Sequence, residues 1–144
     1  MFDLKNLQRK SNSRSCLSAP KGWRDDSDRI SPVFPLPPED LWVIWTQVTA
    51  HSKRIVESKL NAETRQSFHV QLTPTLRFPD EVRAEIVGLP DGSSSIVVYS
   101  QSRYGLYDFG VNRKRVDRWL ERLDRRVMAY RRFQKRQRPA MEEA

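Results

Sequence analysis

The residues best suited to chemistry lie in one stretch, residues 103–116, which reads RYGLYDFGVNRKRV. Gly110 stands just before the start of a predicted helix, where unbonded backbone N–H groups and the helix dipole favour an anion. Tyrosines precede it, and arginines and a lysine follow it. The stretch therefore predicts an anion-binding loop over residues 103–115. Its candidate ligand-binding residues are Arg103, Tyr104, Gly105, Tyr107, Asp108, Gly110, Asn112, Arg113, Lys114 and Arg115.

The same stretch also has a structural interpretation, as the turn between a last strand and a last helix. Its glycines permit a positive φ or a close backbone approach, and Asn112 is a competent N-cap. We predict that Asp108 forms a partly buried ion pair with an arginine, while the remaining basic groups face an anion-sized pocket. The candidate partners of Asp108 are Arg103, Arg113 and Arg115. The turn is the first interpretation of the stretch and the anion site the second.

Other classes of site have little support in the sequence. The two histidines, His51 and His69, are far apart and remote from the single cysteine, Cys16. Neither a metal site nor a cofactor is therefore expected. His69 is expected on the polar side of its strand, opposite the apolar side chains of Phe68 and Val70. No P-loop or dinucleotide-binding glycine motif is present, and we assign no catalytic residue.

An enzyme of unrecognised type is the weakest interpretation of the sequence. It would use three carboxylates and one arginine: Asp80, Glu81, Asp108 and Arg103. Adjacent residues of a strand point to opposite faces of a sheet, so Asp80 and Glu81 do not form an obvious catalytic pair. Nothing in the spacing of these residues identifies a reaction.

The net charge of +8 is concentrated in the C-terminal segment. Residues 111–144 contain 12 lysines and arginines against 5 acids, whereas residues 1–110 contain 14 against 13. The predicted basic helix face in this segment comprises Arg118, Arg122, Arg125 and Arg126. It offers an alternative function, the binding of nucleic acid or of an anionic membrane surface. Three acids lie beside these arginines, so sequence-specific binding of nucleic acid is not expected.

The apolar pattern predicts an α+β fold. Helical spacing of apolar residues predicts a short helix over residues 38–50 and a long helix from residue 112 to about residue 134. Alternating apolar residues predict strands near residues 53–59, 66–73, 82–89 and 94–101. These strands would form an antiparallel sheet of three to four strands with both helices on one face. An irregular, proline-rich N-terminal arm precedes them.

We expect three parts along the chain: a flexible N-terminus (1–14), a single α+β domain (15–134) and a C-terminal tail (135–144). No apolar stretch approaches the roughly 18 residues of a membrane span. The first residues also lack the apolar core of a signal peptide. The expected location is the cytoplasm, with attachment to a membrane surface as the alternative.

Residues 100–116 also resemble the C-terminal signature of a bacterial and plastid family, the domain of unknown function numbered 1499. That signature is a serine-rich strand followed by Ser-Arg-x-Gly-x-x-Asp-x-Gly-x-Asn-x-x-Arg, to which residues 102–115 are similar. Shorter similarities occur at residues 15–18, 30–32 and 78–82. Ser15 and Glu81 depart from the family's asparagine and aspartate. The resemblance implies no reaction, because no activity is assigned to the family.

Together these patterns favour a non-enzymatic binding or accessory domain. Its expected partner is an anionic small ligand, a lipid headgroup or another protein. Binding through the basic helix and an unrecognised enzyme are the alternatives.

Overall fold

The computed structural model describes residues 1–11, 13–105 and 108–143, with side chains as far as residue 137. The strands of this part of the chain are β1 (Ser15–Ala19), β2 (Arg29–Ile30), β3 (Ile55–Asn61), β4 (Gln66–Leu72), β5 (Pro79–Gly88) and β6 (Ser94–Ser102). The helices are α1 (Pro38–Ala50), between β2 and β3, and α2 (Val111–Glu143), which follows β6.

These strands form one mixed sheet of six strands in the order β2-β1-β6-β5-β4-β3. The four strands between the helices pair antiparallel, as predicted, whereas β1 and β2 are parallel. The α+β class is confirmed, but the sheet is larger than the predicted three to four strands. The two additional strands come from the arm that was predicted to be irregular. They are only 5 and 2 residues long, and such short strands carry little periodic signal.

Both helices pack on the same face of the sheet, as predicted. Trp45 of α1 and Trp119 of α2 are almost fully buried, with ring centroids 5.8 Å apart. The sheet residues buried with them include Val82, Ala84, Ile86, Ile96 and Val98. α2 extends beyond its predicted end near residue 134. Among the described residues, no helix combines the length and the apolar character of a membrane span.

The face of β4 that packs against the helices is the polar one, which corrects the prediction. Ser67 Oγ accepts a hydrogen bond from a tryptophan of α1 at 2.9 Å. His69 lies edge-on to Trp119, with ring centroids 5.9 Å apart, and is buried rather than on an exposed polar side. Gln71 accepts a hydrogen bond from Arg115. The helices supply hydrogen-bond partners for Ser67 and Gln71, so these two polar groups can be buried there.

Residues 1–10 cover part of the opposite face of the sheet. Leu4 is buried in a second apolar cluster with Leu17, Ala19, Val97 and Tyr99. The backbone N–H of residue 10 also donates to Tyr99 Oη at 2.7 Å. This part of the second face is therefore occupied by the chain itself. The division into an N-terminus, a domain over 15–134 and a tail from 135 stays a prediction.

Candidate ligand-binding site

Asp108 organises the start of α2. Its Oδ1 accepts the backbone N–H of Gly110 at 2.9 Å, and its Oδ2 accepts the backbone N–H of Asn112 at 3.3 Å. Gly105 and Gly110 have φ angles of +93° and +77°, the left-handed conformation expected of glycines in this turn. Two of the N–H groups that were expected to face an anion are thus bonded to a carboxylate of the chain itself.

Asn112 is not the N-cap that the sequence predicted. It is the second residue of α2 and is fully buried. Its Nδ2 lies 2.7 Å from Asp108 Oδ2, 2.9 Å from Ser102 Oγ and 3.1 Å from the carbonyl oxygen of Arg14. Its Oδ1 accepts a hydrogen bond from Ser100 Oγ at 2.6 Å. Asn112 therefore ties the start of α2 to β6 and to the segment before β1.

A buried ion pair between Arg115 and Asp80 connects α2 to β5. The N–O distance is 2.7 Å, and only 5% and 2% of the two side chains are exposed. Arg115 Nη1 also donates to Asn112 Oδ1 at 2.8 Å and to Ser100 Oγ at 3.1 Å. Its Nε donates to Gln71 Oε1. These bonds satisfy the guanidinium group, as a buried charge requires.

Burial shifts the pKa values of both partners. Desolvation raises the pKa of Asp80 above its usual value, and the Asp108 carboxylate acts in the same direction, while Arg115 opposes it. Desolvation likewise lowers the pKa of Arg115, against the attraction of Asp80. Burial therefore disfavours each charge, and the attraction between the two groups offsets part of that cost.

The predicted ion pair between Asp108 and an arginine is wrong. Arg103 pairs instead with Glu81 at 2.9 Å, and Arg113 lies 3.4 Å from Asp117. The third candidate, Arg115, forms its ion pair with Asp80 on β5. The carboxylate of Asp108 instead accepts hydrogen bonds from backbone N–H groups at the start of α2, and these groups are close to it in the chain.

A cavity of about 300 Å³ lies beside this network, between the loop at residues 73–78 and residues 102–105 and 108–111. Asp80, Ser102 and Asp108 contribute its most polar groups. Its other described lining residues are Thr73, Pro74, Thr75, Leu76, Phe78, Tyr104, Gly105, Phe109 and Val111. This described lining contains neither lysine nor arginine. Within the described chain, no cluster of three or more histidine, cysteine or acidic residues could hold a metal ion.

The predicted site residues that the structure describes fall into three groups. Those that line the cavity are Tyr104, Gly105 and Asp108. Those in the buried network behind it are Asn112 and Arg115. Those that do not line the cavity in the described chain are Arg103, Gly110, Arg113 and Lys114. Tyr107 lies outside the described residues. Leu76 and Phe78 were not among the predicted site residues, because they lie between two predicted strands, where the apolar pattern assigns no element.

The predicted basic face of α2 is divided among different partners. Arg125 pairs with Glu121, one turn earlier, at 2.5 Å. Arg122 and Arg126 donate instead to neutral groups at the C-terminal end of α1 and just after it. The side chain of Arg118 is exposed. These four arginines therefore do not form one uniform face.

We expect Asp108→Ala to lower the free energy of unfolding by about 1–2 kcal/mol, because it removes the acceptor of two backbone N–H groups. Asp108→Asn keeps one acceptor oxygen and should lose less. Lys114→Ala, which alters an exposed side chain of the same helix, should change stability by less than about 0.5 kcal/mol. Urea denaturation followed by circular dichroism measures all three variants. Equal losses for Asp108→Ala and Lys114→Ala would contradict the role of Asp108 at the helix start.

Comparison with known proteins identifies a family but no activity. The family model described as "Protein of unknown function (DUF1499)" matches residues 6–123, which include the whole buried network. The crystal structure of TTHA0849 from Thermus thermophilus is similar with a TM-score of 0.38 and 16% sequence identity. That similarity covers 81% of this chain and 98% of the other. No curated protein matches the chain.

Proposed function

The chain belongs to the DUF1499 family of proteins of unknown function, and we propose that it is a non-enzymatic binding domain. Its ligand would occupy the cavity between residues 73–78 on one side and residues 102–105 and 108–111 on the other. That ligand would have an apolar body and a polar group that donates hydrogen bonds. The observation that carries this proposal is the combination, in one cavity, of exposed apolar walls and buried acceptor groups.

Four large apolar side chains around the cavity are exposed to solvent. The exposed fractions are 69% for Leu76, 52% for Phe78, 65% for Tyr104 and 80% for Phe109. None of the four belongs to either buried apolar cluster. Large apolar side chains exposed around a concave surface are typical of binding sites. Burial in the apolar core of the fold does not account for Leu76, Phe78 and Tyr104.

The polar groups of the cavity favour a donor over an anion. Asp80 and Asp108 present carboxylates, which accept hydrogen bonds and carry negative charge. An anion would be repelled by the Asp108 carboxylate, which forms no ion pair in the described chain, whereas a hydroxyl, an amide or an amine would be attracted. The charge of Asp80 is compensated by Arg115. The anion-binding role of residues 103–115 stays a prediction. The geometry of this cavity favours a neutral or cationic ligand instead.

The two carboxylates that line the cavity are already bonded within the protein, which favours binding over catalysis. Asp80 is held by Arg115, and Asp108 is held by the backbone at the start of α2. A general acid or base must exchange a proton with its substrate, and a nucleophile needs a base that can activate it. Groups held in this way instead give a ligand fixed acceptors.

We expect benzylamine and benzyl alcohol to bind in this cavity and benzoate not to bind. The three compounds share an aromatic ring and differ in whether their polar group donates a hydrogen bond or carries negative charge. Two-dimensional NMR should show shifts in the backbone amide signals of residues 73, 75–78 and 102–105. Dissociation constants are expected on the order of 1 mM, as for other small fragments.

Two variants of the cavity wall and one matched control sharpen this experiment. Leu76→Ala and Phe109→Ala each remove an exposed apolar side chain and should weaken binding by about fivefold, or about 1 kcal/mol of lost contact. Val56→Ala is the control, since Val56 is 59% exposed on β3 and does not line the cavity. The proposal fails if benzoate binds as tightly as benzylamine, or if no fragment shifts these signals.

A further inference from the structure

A second cavity, of about 510 Å³, lies between the connection from α1 to β3 and the first half of α2. Basic side chains dominate its lining: His51, Lys53, Arg54, Arg118 and Arg122. The other lining residues are Gln71, Pro74 and Trp119. Neither aspartate nor glutamate lines it in the described part of the chain. Two of its arginines belong to the predicted basic face of α2.

The lysine and arginines of this cavity have no acidic partner in the chain as described. Arg54 Nε donates to a carbonyl oxygen of β4 at 2.9 Å. Arg122 donates to Ser52 Oγ at 3.0 Å and to a carbonyl oxygen of α1 at 3.3 Å. These acceptors are neutral, so the positive charges are not compensated. Elsewhere in the described chain, the arginines found in ion pairs include Arg9, Arg24, Arg29, Arg83, Arg103, Arg113, Arg115 and Arg125.

The positive charges of this region also act on one another. Burial is the largest cause of the lowered pKa of Arg122, and the charges of Arg126 and Arg118 lower it further. The charges of Arg118 and Arg54 act in the same direction on the pKa of Arg115. An anion in the cavity would reduce this repulsion.

The backbone at Arg54 supports a specific placement of its side chain. Arg54 has a φ of +60°, a conformation that is uncommon for a residue other than glycine. Its carbonyl oxygen accepts the N–H of Leu72, and its Nε donates to the carbonyl oxygen of the same residue. Both ends of Arg54 are thus fixed to β4, and its guanidinium group is held at the cavity wall.

We propose that this cavity binds a phosphate group, carried by a soluble small molecule or by a lipid headgroup. Guanidinium groups donate paired hydrogen bonds to phosphate oxygens, and Lys53 adds a compact positive charge. The volume admits a phosphate together with part of the group that bears it. Among the described residues, Pro74 alone lines both this cavity and the one described above. The two sites can therefore be tested independently, and this inference does not rest on the proposed function.

The surroundings of the cavity favour an isolated phosphate over duplex nucleic acid. Arg125, on the same helix, is paired with Glu121. Asp117 is engaged with Arg29 and Arg113. A duplex binds through many phosphate contacts along an extended basic surface. Acidic residues interrupt such a surface on α2, whereas the cavity itself is free of them in the described chain.

Isothermal titration calorimetry with pyrophosphate at physiological salt tests this site. Wild type should show saturable binding, and Arg118→Gln should weaken it by about tenfold, the loss of one charge-assisted pair of bonds. Lys53→Gln should weaken it less. Both side chains are exposed, so neither change should unfold the protein. Arg125→Gln is the matched control, since it makes the same charge change on α2 outside the cavity, and should change binding by less than about twofold.

Vesicles distinguish the two sources of the phosphate. The phosphate belongs to a lipid headgroup if the protein co-sediments with vesicles that contain phosphatidic acid but not with pure phosphatidylcholine. This binding must also need Arg118 and not Arg125. Binding of pyrophosphate without binding of vesicles identifies a soluble ligand. Equal losses in Arg118→Gln and Arg125→Gln overturn the proposal, as does an absence of saturable binding to both probes. Tight binding of duplex DNA that Arg125→Gln abolishes would also overturn it.

Discussion

Arg115→Ala is expected to lower the free energy of unfolding by about 3–5 kcal/mol, because it leaves a buried carboxylate without its counterion. Asp80 is 1% exposed, and its bond to Arg115 is 2.7 Å long. The change also removes a donor from Ser100, Asn112 and Gln71. Urea denaturation at neutral pH measures the loss, which is a large share of the stability of a small domain.

A double-mutant cycle separates the ion pair from the rest of the network. Asp80→Ala alone should also be strongly destabilising, whereas the double variant should lose less than the sum of the single losses by about 1–3 kcal/mol. Arg113→Ala is the matched control, since this arginine lies on the same helix with half of its side chain exposed. It should cost less than about 1 kcal/mol. Additive losses at positions 80 and 115 would show that the pair is not coupled.

The elements that the sequence predicts well are those specified by local patterns. The helical spacing that begins at Pro38 gives α1, and the turn at residues 90–93 gives the hairpin of β5 and β6. β4 shows the limit of such patterns. Alternation groups Ser67, His69 and Gln71 on one face, but it does not say which face meets the helices. That choice depends on hydrogen-bond partners supplied by α1 and α2, which are distant in sequence.

The candidate site shows the same limit for charged groups. The predicted partners of Asp108 were three arginines that lie within seven residues of it in the chain. The structure pairs Arg115 with Asp80, 35 residues away, and with Gln71, 44 residues away. The basic cavity likewise combines residues 51–54 with residues 118–122. Composition predicted that anion-binding groups are present on α2, but only the packing of α1, β3 and α2 shows where they converge.

Acidification is expected to destabilise the protein through His69. Burial lowers the pKa of His69 to about 4, from 6.5 for an exposed histidine. Between these two values the unfolded chain binds a proton at this position and the folded chain does not. The stabilising contribution of neutral His69 is therefore complete above pH 6.5 and decreases as the pH falls. The decrease should reach about 2–3 kcal/mol near pH ~4.5, as measured by urea denaturation.

His69→Leu isolates this contribution, because it removes the titrating group from a buried position. In wild type, His69 Nδ1 lies 2.8 Å from Ser58 Oγ, and its Nε2 is buried without a hydrogen-bond partner in the described chain. Wild type should lose about 2–3 kcal/mol more than the variant when the pH falls from ~7.5 to ~4.5. Carboxylates that titrate in this range are present in both proteins, so their effects cancel in the difference. His51→Gln changes an exposed histidine and should keep the wild-type dependence on pH. Equal losses in wild type and His69→Leu would mean that the folded protein accommodates a protonated His69 beside Trp119.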